Sequence, residues 1–409
     1  MIFDETYRPL FEQMHRHGMF RRDFGYVEVA LSAVASRTGQ RAERIRDAAG
    51  PRLPPFRSFV EPDSVAQMLG EVDVVCVATP DDRHFQAAMA AIKAGKHVLI
   101  EKPSVLDLPQ LDRLVQAARE SEVLAKVVYH KLADPDHKKL RTHVLNGVLQ
   151  HVNNGYCSLL EPKSISGGQF AEWISGRNPA TYVAVHYLKL IDFTFGPNWC
   201  LARVGATGQR GLVGSANGPT WDSVQLQVVY THGDGREAAF DIHTSWVTPD
   251  NFPGYVEQEV QFRFDNGIWN AHQRKRGVEL TVEDRSPAEF KYTPNHHYNG
   301  TFIEPWGEAT QRGYGVEILH RFFEEAAYVE YGGDRVDRSR RIREMSALAY
   351  NDLSADRNVV AIVQALEEVL REQANGSPGC MVEVNSPDGG LVLRRPGQSG
   401  CKVLYAQQV

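Results

Sequence analysis

Apolar and polar positions follow three different rhythms along this chain, and each rhythm predicts a different kind of element. Near the start, Tyr7, Leu10, Phe11 and Met14 recur at i, i+3, i+4 and i+7, which predicts a helix over residues 4–17. Residues 27–35 read as a strand, and a helix starts near Gln40. The densest signal runs from Val72 to Pro103. Residues 72–78 form an unbroken, β-branched apolar run, the pattern of a strand buried on both faces, and Thr79-Pro80-Asp81 ends it. Phe85, Ala88, Met89 and Ile92 then return at helical spacing, and Gly95 suits the left-handed residue that closes a helix. Residues 97–100 make a second short strand. Strand, crossover helix and strand build the right-handed βαβ unit of a parallel sheet, in which ligands gather beyond the carboxyl ends of the strands. Two polar clusters fall there, residues 79–84 (TPDDRH) and Glu101-Lys102-Pro103. A further helix after Asp107, carrying Leu108, Leu111, Leu114, Val115 and Ala118, leads to a third strand over residues 123–129.

Past Tyr129-His130-Lys131 the rhythm changes. A helix over residues 136–145 and a strand over 148–159 precede a polar loop, Glu161-Pro162-Lys163-Ser164. Asn178-Pro179 marks a helix start and Gly196-Pro197 its end, and within that helix Tyr182, His186 and Lys189 project on one side. Residues 200–294 alternate strictly: Val256, Gln258, Val260, Phe262 and Phe264 fall on one face, Glu257, Glu259, Gln261 and Arg263 on the other. Asp234-Gly235 and Asn266-Gly267 read as hairpin turns between such runs. Two amphipathic helices, residues 316–329 and 356–373, close the second domain, and residues 381–409 add short strand-like pieces. The resulting fold class is α/β followed by α+β. An incomplete Rossmann-like domain spans residues 1–131, and a domain with a large, mainly antiparallel open sheet spans residues 132–409. Incomplete is meant literally: only Met1-Ile2-Phe3 precedes the first helix, where the dinucleotide fold has a strand and a G-x-G-x-x-G turn. The expectation is that this strand and turn precede Met1.

Bulk properties narrow the partners. A formal charge of -6 and a pI near 6.2 offer no electrostatic footprint for nucleic acid or an anionic membrane. Five cysteines, scattered and without C-x-x-C spacing, argue against a disulfide framework or a structural zinc site and suit a reducing cytoplasm. No apolar run approaches the length of a membrane span. His296-His297 lacks a spaced third ligand, so no metal site is expected there.

Ala78-Thr79-Pro80, His84, Ala94-Gly95-Lys96-His97-Val98 and Glu101-Lys102-Pro103 stand in register along one strand–helix–strand unit. In this the chain resembles the Gfo/Idh/MocA family of NAD(P)-dependent oxidoreductases. The resemblance implies hydride transfer between a nicotinamide and a secondary alcohol or ketone of a sugar, a sugar derivative or a cyclic polyol. It implies cofactor contacts from Thr79, Pro80, His84, Glu101 and Lys102, and a homo-oligomer formed through the open sheet. The family's D-x-x-x-H helix pattern is matched by His186, with Tyr182 at the Asp position. His130 and Lys163 join Tyr182, His186 and Lys102 as candidates for contacting substrate, although His130 reads equally as a surface residue.

Such chemistry needs one proton carrier and a positive charge near the developing oxyanion, because the cofactor carries the hydride. The resemblance gives these roles to His186 and Lys102. Ser36-Arg37-Thr38 stands where an NAD enzyme carries an acidic residue. Read from the residues, it is either a partner for a 2′-phosphate or a solvated loop, and the resemblance favours NADP over NAD. A non-catalytic ligand sensor or scaffold is the alternative function, in keeping with the missing glycine turn.

Overall fold

The computed structural model describes residues 3–164, 166, 173–215, 218–252, 256–273, 297–333, 337–348, 350–385 and 389–406. The chain forms two compact units, the first from Met1–Val105, Pro109–Ala133 and His296–Asp356, the second from Leu106–Leu108, Asp134–Asn295 and Arg357–Val409. A single cut after residue 131 therefore assigns residues 296–356 to the wrong unit.

In the first unit a π-helical turn, Phe3–Tyr7, runs into α1 (Arg8–His17). The predicted helix is present with an underwound first turn. The strand expected over residues 27–35 divides. β1 (Met19–Arg21) and β2 (Gly25–Val27) form a local hairpin that uses up Val27, and only β3 (Ala33–Ser36) joins a parallel pair with β4 (Arg57–Val60). Helix α2 (Gln40–Ala49) lies between those two strands in sequence, and α3 (Ser64–Met68) follows β4. Gly39, at φ 78°, turns the chain from β3 into α2, and a side chain there would also press on Val60. Next come β5 (Val74–Val77), α4 (His84–Lys93), β6 (His97–Ile100), α5 (Leu108–Glu120) and β7 (Ala125–Val127). Strands β5, β6 and β7 lie in that order, all parallel, with Val75 beside Val98 and Val98 beside Ala125. All four residues of β6 are buried, as a central strand requires, whereas Val74 and Cys76 of β5 are only half-buried. The β3–β4 and β5–β6–β7 sheets are separate among the described residues.

The second unit opens with α6 (Pro135–Leu145), whose Asp134 cap accepts from the Asp136 backbone. A mixed sheet of nine strands follows: β8 (Val152–Pro162), β9 (Trp199–Gln209), β10 (Ser223–His232), β11 (Glu237–Thr248), β12 (Glu257–Phe264), β13 (Gly267–Ala271) and, from the end of the chain, three more. Both predicted hairpin turns sit where expected, between β10 and β11 and between β12 and β13. The sheet departs from pure antiparallel pairing at β8, which runs parallel to β11 and antiparallel to β12. Glu161-Pro162, expected in a loop, instead end β8. A π-helical turn, Ala180–Ala184, leads into α7 (Val185–Phe195). Phe195 of α7 packs on Phe240 and Phe262 at centroid distances of 5.6 and 5.5 Å, and Gly155 between those two rings leaves no room for a Cβ.

The chain then returns to the first unit. Hairpin β14 (Gly300–Ile303) and β15 (Ala309–Arg312) precedes α8 (Tyr314–Tyr331) and α9 (Arg338–Ala347). Leu319, Phe322 and Phe323 of α8 share one buried cluster with Tyr7, Leu10, Phe11 and Met14 of the first helix and with Leu99 and Val128 beside the parallel strands. His97 fixes this helix to the sheet. Its Nδ1 accepts from the Leu124 backbone at 2.9 Å, so its Nε2 donates to Glu330, also at 2.9 Å. Finally α10 (Arg357–Ala374) and strands β16 (Met381–Asn385), β17 (Gly390–Arg394) and β18 (Cys401–Tyr405) complete the second unit, β16 pairing with β9 and β18 forming the sheet's edge.

Candidate active site

Three parallel strands of the first unit deliver the predicted cofactor residues at their carboxyl ends. Ser36 ends β3, and its hydroxyl accepts from the Gly39 backbone at 3.1 Å, which shapes the turn and leaves Arg37 and Thr38 exposed. Thr79 and Pro80 follow β5, also exposed. His84, expected to contact cofactor or cap α4, instead faces inward. It is 1% exposed, and its two ring nitrogens lie 2.8 Å from the Thr79 and Pro103 carbonyl oxygens. It therefore ties the end of β5 to the end of β6. Burial holds its pKa below the ordinary value, although both carbonyls pull the other way.

Glu101 and Lys102 follow β6, both half-buried. Tyr7 Oη donates to Glu101 Oε1 at 2.9 Å. Burial pushes Glu101 above the usual carboxylate range, and the Lys102 ammonium opposes that shift. The same burial, with Glu101 adding to it, lifts the Tyr7 phenol well above its ordinary value and the Cys76 thiol to about 12. His130, one of whose readings was a surface residue, is 5% exposed. Desolvation drives its pKa down to about 4, and the nearby charges of Lys102 and Lys131 add to the effect. Its ring meets Tyr298 edge to face at 5.7 Å. One carboxyl, one ammonium, one neutral imidazole and two phenols thus share the end of β6. Tyr7 and Tyr298 were not singled out from the sequence. Tyr7 belongs to an apolar stripe that reads as core, and only its position at the head of the first helix marks it.

These residues bear unevenly on a bound dinucleotide. Strand ends carrying Ser36–Thr38, Thr79–Pro80 and Glu101–Lys102 fit its ribose and nicotinamide portions. A pyrophosphate meets the N-terminus of a helix, and the first turn at α1 brings Asp4 and Glu5 there, two carboxyl groups that disfavour phosphate.

In the second unit Asn178 starts the helix as its sequence predicts. Its Oδ1 accepts from the Thr181 backbone at 2.8 Å and its Nδ2 donates to Glu367 at 2.7 Å. His186 lies in the first turn of α7, half-buried. Tyr182, in the π-helical turn, packs edge to face on Trp173 at 4.8 Å and tilts toward Trp246 at 6.4 Å. Trp246 donates to the buried carboxylate of Glu161 at 2.9 Å. Lys163 is exposed just past β8. Lys189 does not share the half-open side with Tyr182 and His186; it is 2% exposed, 3.5 Å from Asp192. The π-helical turn changes the angular step that an all-α reading assumes.

Comparison with known proteins agrees with this architecture. The family described as "Oxidoreductase family, NAD-binding Rossmann fold" (Gfo/Idh/MocA) matches residues 7–129. UDP-N-acetylglucosamine 3-dehydrogenase of Acidithiobacillus ferrooxidans is 36% identical over 112 residues, 27% of this chain and 34% of that protein. An NADP(+)-dependent scyllo-inositol 2-dehydrogenase of Bacillus subtilis is 34% identical over 82 residues, 20% of this chain and 23% of the relative. The matches thus span about a third or less of these relatives' lengths. Among solved structures, GenD2 from gentamicin A biosynthesis, in complex with NAD, superimposes with a TM-score of 0.60 at 20% identity, covering 92% of this chain and 93% of the other. Scyllo-inositol dehydrogenase from Lactobacillus casei, with NAD(H) and scyllo-inositol, gives 0.58 at 14% identity, covering 91% and 95%. Residues 7–129 thus match the NAD-binding Rossmann domain of the Gfo/Idh/MocA oxidoreductase family, and a large mixed sheet forms the second unit.

Proposed function

We propose that this protein is an oxidoreductase that moves a hydride between a nicotinamide cofactor and a secondary alcohol or ketone on a sugar, a sugar derivative or a cyclic polyol. The observation that carries this reading is Lys102, held at the carboxyl end of β6 beside Glu101 and a neutral His130, in the stretch that matches the family. A fixed ammonium there stabilises an alkoxide, and a neutral imidazole does not compete with it for that anion. His186 is the proposed proton carrier, and Tyr182, Lys163 and His130 the proposed substrate contacts. When bound, the cofactor supplies the hydride acceptor or donor. Arg37, exposed just past β3 with Thr38 beside it, would hold a 2′-phosphate, so NADP is the favoured cofactor. The relatives support the substrate class: their names include dehydrogenases of a nucleotide sugar and of inositol. Asp4 and Glu5 support a second reading, a ligand sensor or scaffold that holds nicotinamide cofactor weakly.

The test is a panel of sugars and cyclic polyols with NADP and NAD, followed at the nicotinamide absorbance. Lys102→Met and His186→Asn are each expected to lower turnover by about two to four orders of magnitude while leaving the fold intact. Rates within a few-fold of wild type in both variants would remove the mechanism. No turnover with any pair, together with ligand binding, would favour the sensor.

A further inference from the structure

Where β8 begins and β10 ends, His151, His232 and Asp234 converge, none of them among the residues assigned to the candidate active site. Each presents one ligating atom, and the three atoms lie within 4.8 Å of one another. We propose that they form a binding site for a divalent transition-metal ion of the zinc type.

Geometry, donor type and surroundings all favour it. Zinc bonds of about 2.0–2.1 Å in a tetrahedral arrangement place ligand atoms about 3.3 Å apart. His232 Nδ1 and Asp234 Oδ1 are already 2.9 Å apart, so an ion bound by both requires small movements. The His151 and His232 rings meet edge to face at 5.3 Å, and Trp199 packs against His232 at 5.1 Å, which limits that ring's rotamers. Two imidazoles with one carboxylate make a donor set that suits zinc, with a fourth position for water. An outer layer is also present. Arg236 Nε holds Asp234 Oδ2 at 2.9 Å, while Oδ1, beside His232, also accepts from the Arg236 backbone N–H at 3.1 Å. Asp265 Oδ2 lies 3.4 Å from His151 Nδ1, and Arg236 Nη1 holds that same oxygen at 3.1 Å. Carboxylates and cations that orient metal ligands in this way strengthen binding. All three ligands are reachable from solvent, with side chains 41%, 24% and 39% exposed.

Such an ion would clamp the start of β8 to the β10–β11 hairpin, two places that the sequence separates by about eighty residues. No single stretch carries the pattern, which is why spacing rules find nothing there. The competing account is an ion-pair network that ties the hairpin and binds nothing.

Isothermal titration of Zn2+ into the full chain, treated with chelator and dialysed, separates the two. One equivalent is expected to bind. His151→Ala, His232→Ala and Asp234→Asn are each expected to weaken binding at least ten-fold, while His15→Ala, an exposed histidine on α1, leaves it unchanged. Zn2+ should also raise the thermal midpoint of the wild type and not that of His151→Ala. Far-ultraviolet circular dichroism checks that the variants fold, and Asp234→Asn, nearly isosteric, serves if the alanine variants do not. The proposal is overturned if the wild type takes up no Zn2+ or if the three variants lose less than ten-fold.

Discussion

His130 is the residue at which burial and electrostatics act most visibly together. Its folded pKa of about 4 lies below the ordinary value of about 6.5, so the native state binds fewer protons than the unfolded chain between those limits. Stability from this residue is therefore fully present above pH ~6.5 and is lost as pH falls toward ~4. Glu101 has the opposite sign: its folded pKa is raised, so acid favours its native form and offsets part of the loss. A proton NMR titration of the His130 ring is expected to show a neutral imidazole at pH 6 with a midpoint near 4. A midpoint near 6.5 would mean that the ring is solvated. Arg37 gives a second test at this scale. Arg37→Asp should reverse the order of NADP and NAD affinities, because it replaces a partner of the 2′-phosphate with a group that repels it. An unchanged ratio would assign this loop to solvent. Lys102 and Arg37 could be read from sequence because a strand end fixes their position locally. Tyr7 and Tyr298 could not, since their partners are set by long-range packing: Tyr7 reaches Glu101 across 94 residues.

Among the elements, those with an end signal were legible and those defined by their neighbours were not. Asn178-Pro179 and Gly95 mark helix ends through local hydrogen bonding, and α7 and α4 follow them closely. Residues 27–35 carry strand propensity throughout, yet Val27 is taken by a hairpin partner, Met19, and only Ala33–Ser36 meets a parallel neighbour. Underwound turns at Phe3–Tyr7 and Ala180–Ala184 leave no mark in the apolar period. The cap at Asn178 allows a quantitative check. Asn178→Ala removes the acceptor for the Thr181 backbone and one donor to Glu367, so a loss of about 1–3 kcal/mol is expected in urea unfolding followed by the second unit's tryptophans. A loss below about 0.5 kcal/mol would mean that water replaces both bonds.

At the scale of the whole chain, residues 296–356 return to the first unit after the sheet of the second has been built. Periodicity records that α8 is amphipathic and says nothing about which core its apolar face enters, so its assignment needed the structure. The nine-stranded sheet poses the complementary question of what meets its second face. One face is apolar: Phe240, Ile242, Phe262 and Val260 are buried with Phe195 of α7 packed on two of them. The strand register puts Gln227, Asp241, Tyr156 and Gln261 in one row across the opposite face, and Gln225, His243, Ser158 and Glu259 in the next. Tyr156 and His243 pack edge to face there at 5.0 Å, and both are half-buried in a single chain. A two-fold pair built on this face would present the same rows to each other, so any change at Tyr156 enters the interface twice. The expected outcome is a dimer by light scattering at micromolar concentration, with Tyr156→Arg shifting it to monomer because a two-fold interface on this face would bury two added guanidinium groups. A wild-type monomer over that range, or a Tyr156→Arg protein that remains dimeric, would place the association elsewhere or nowhere.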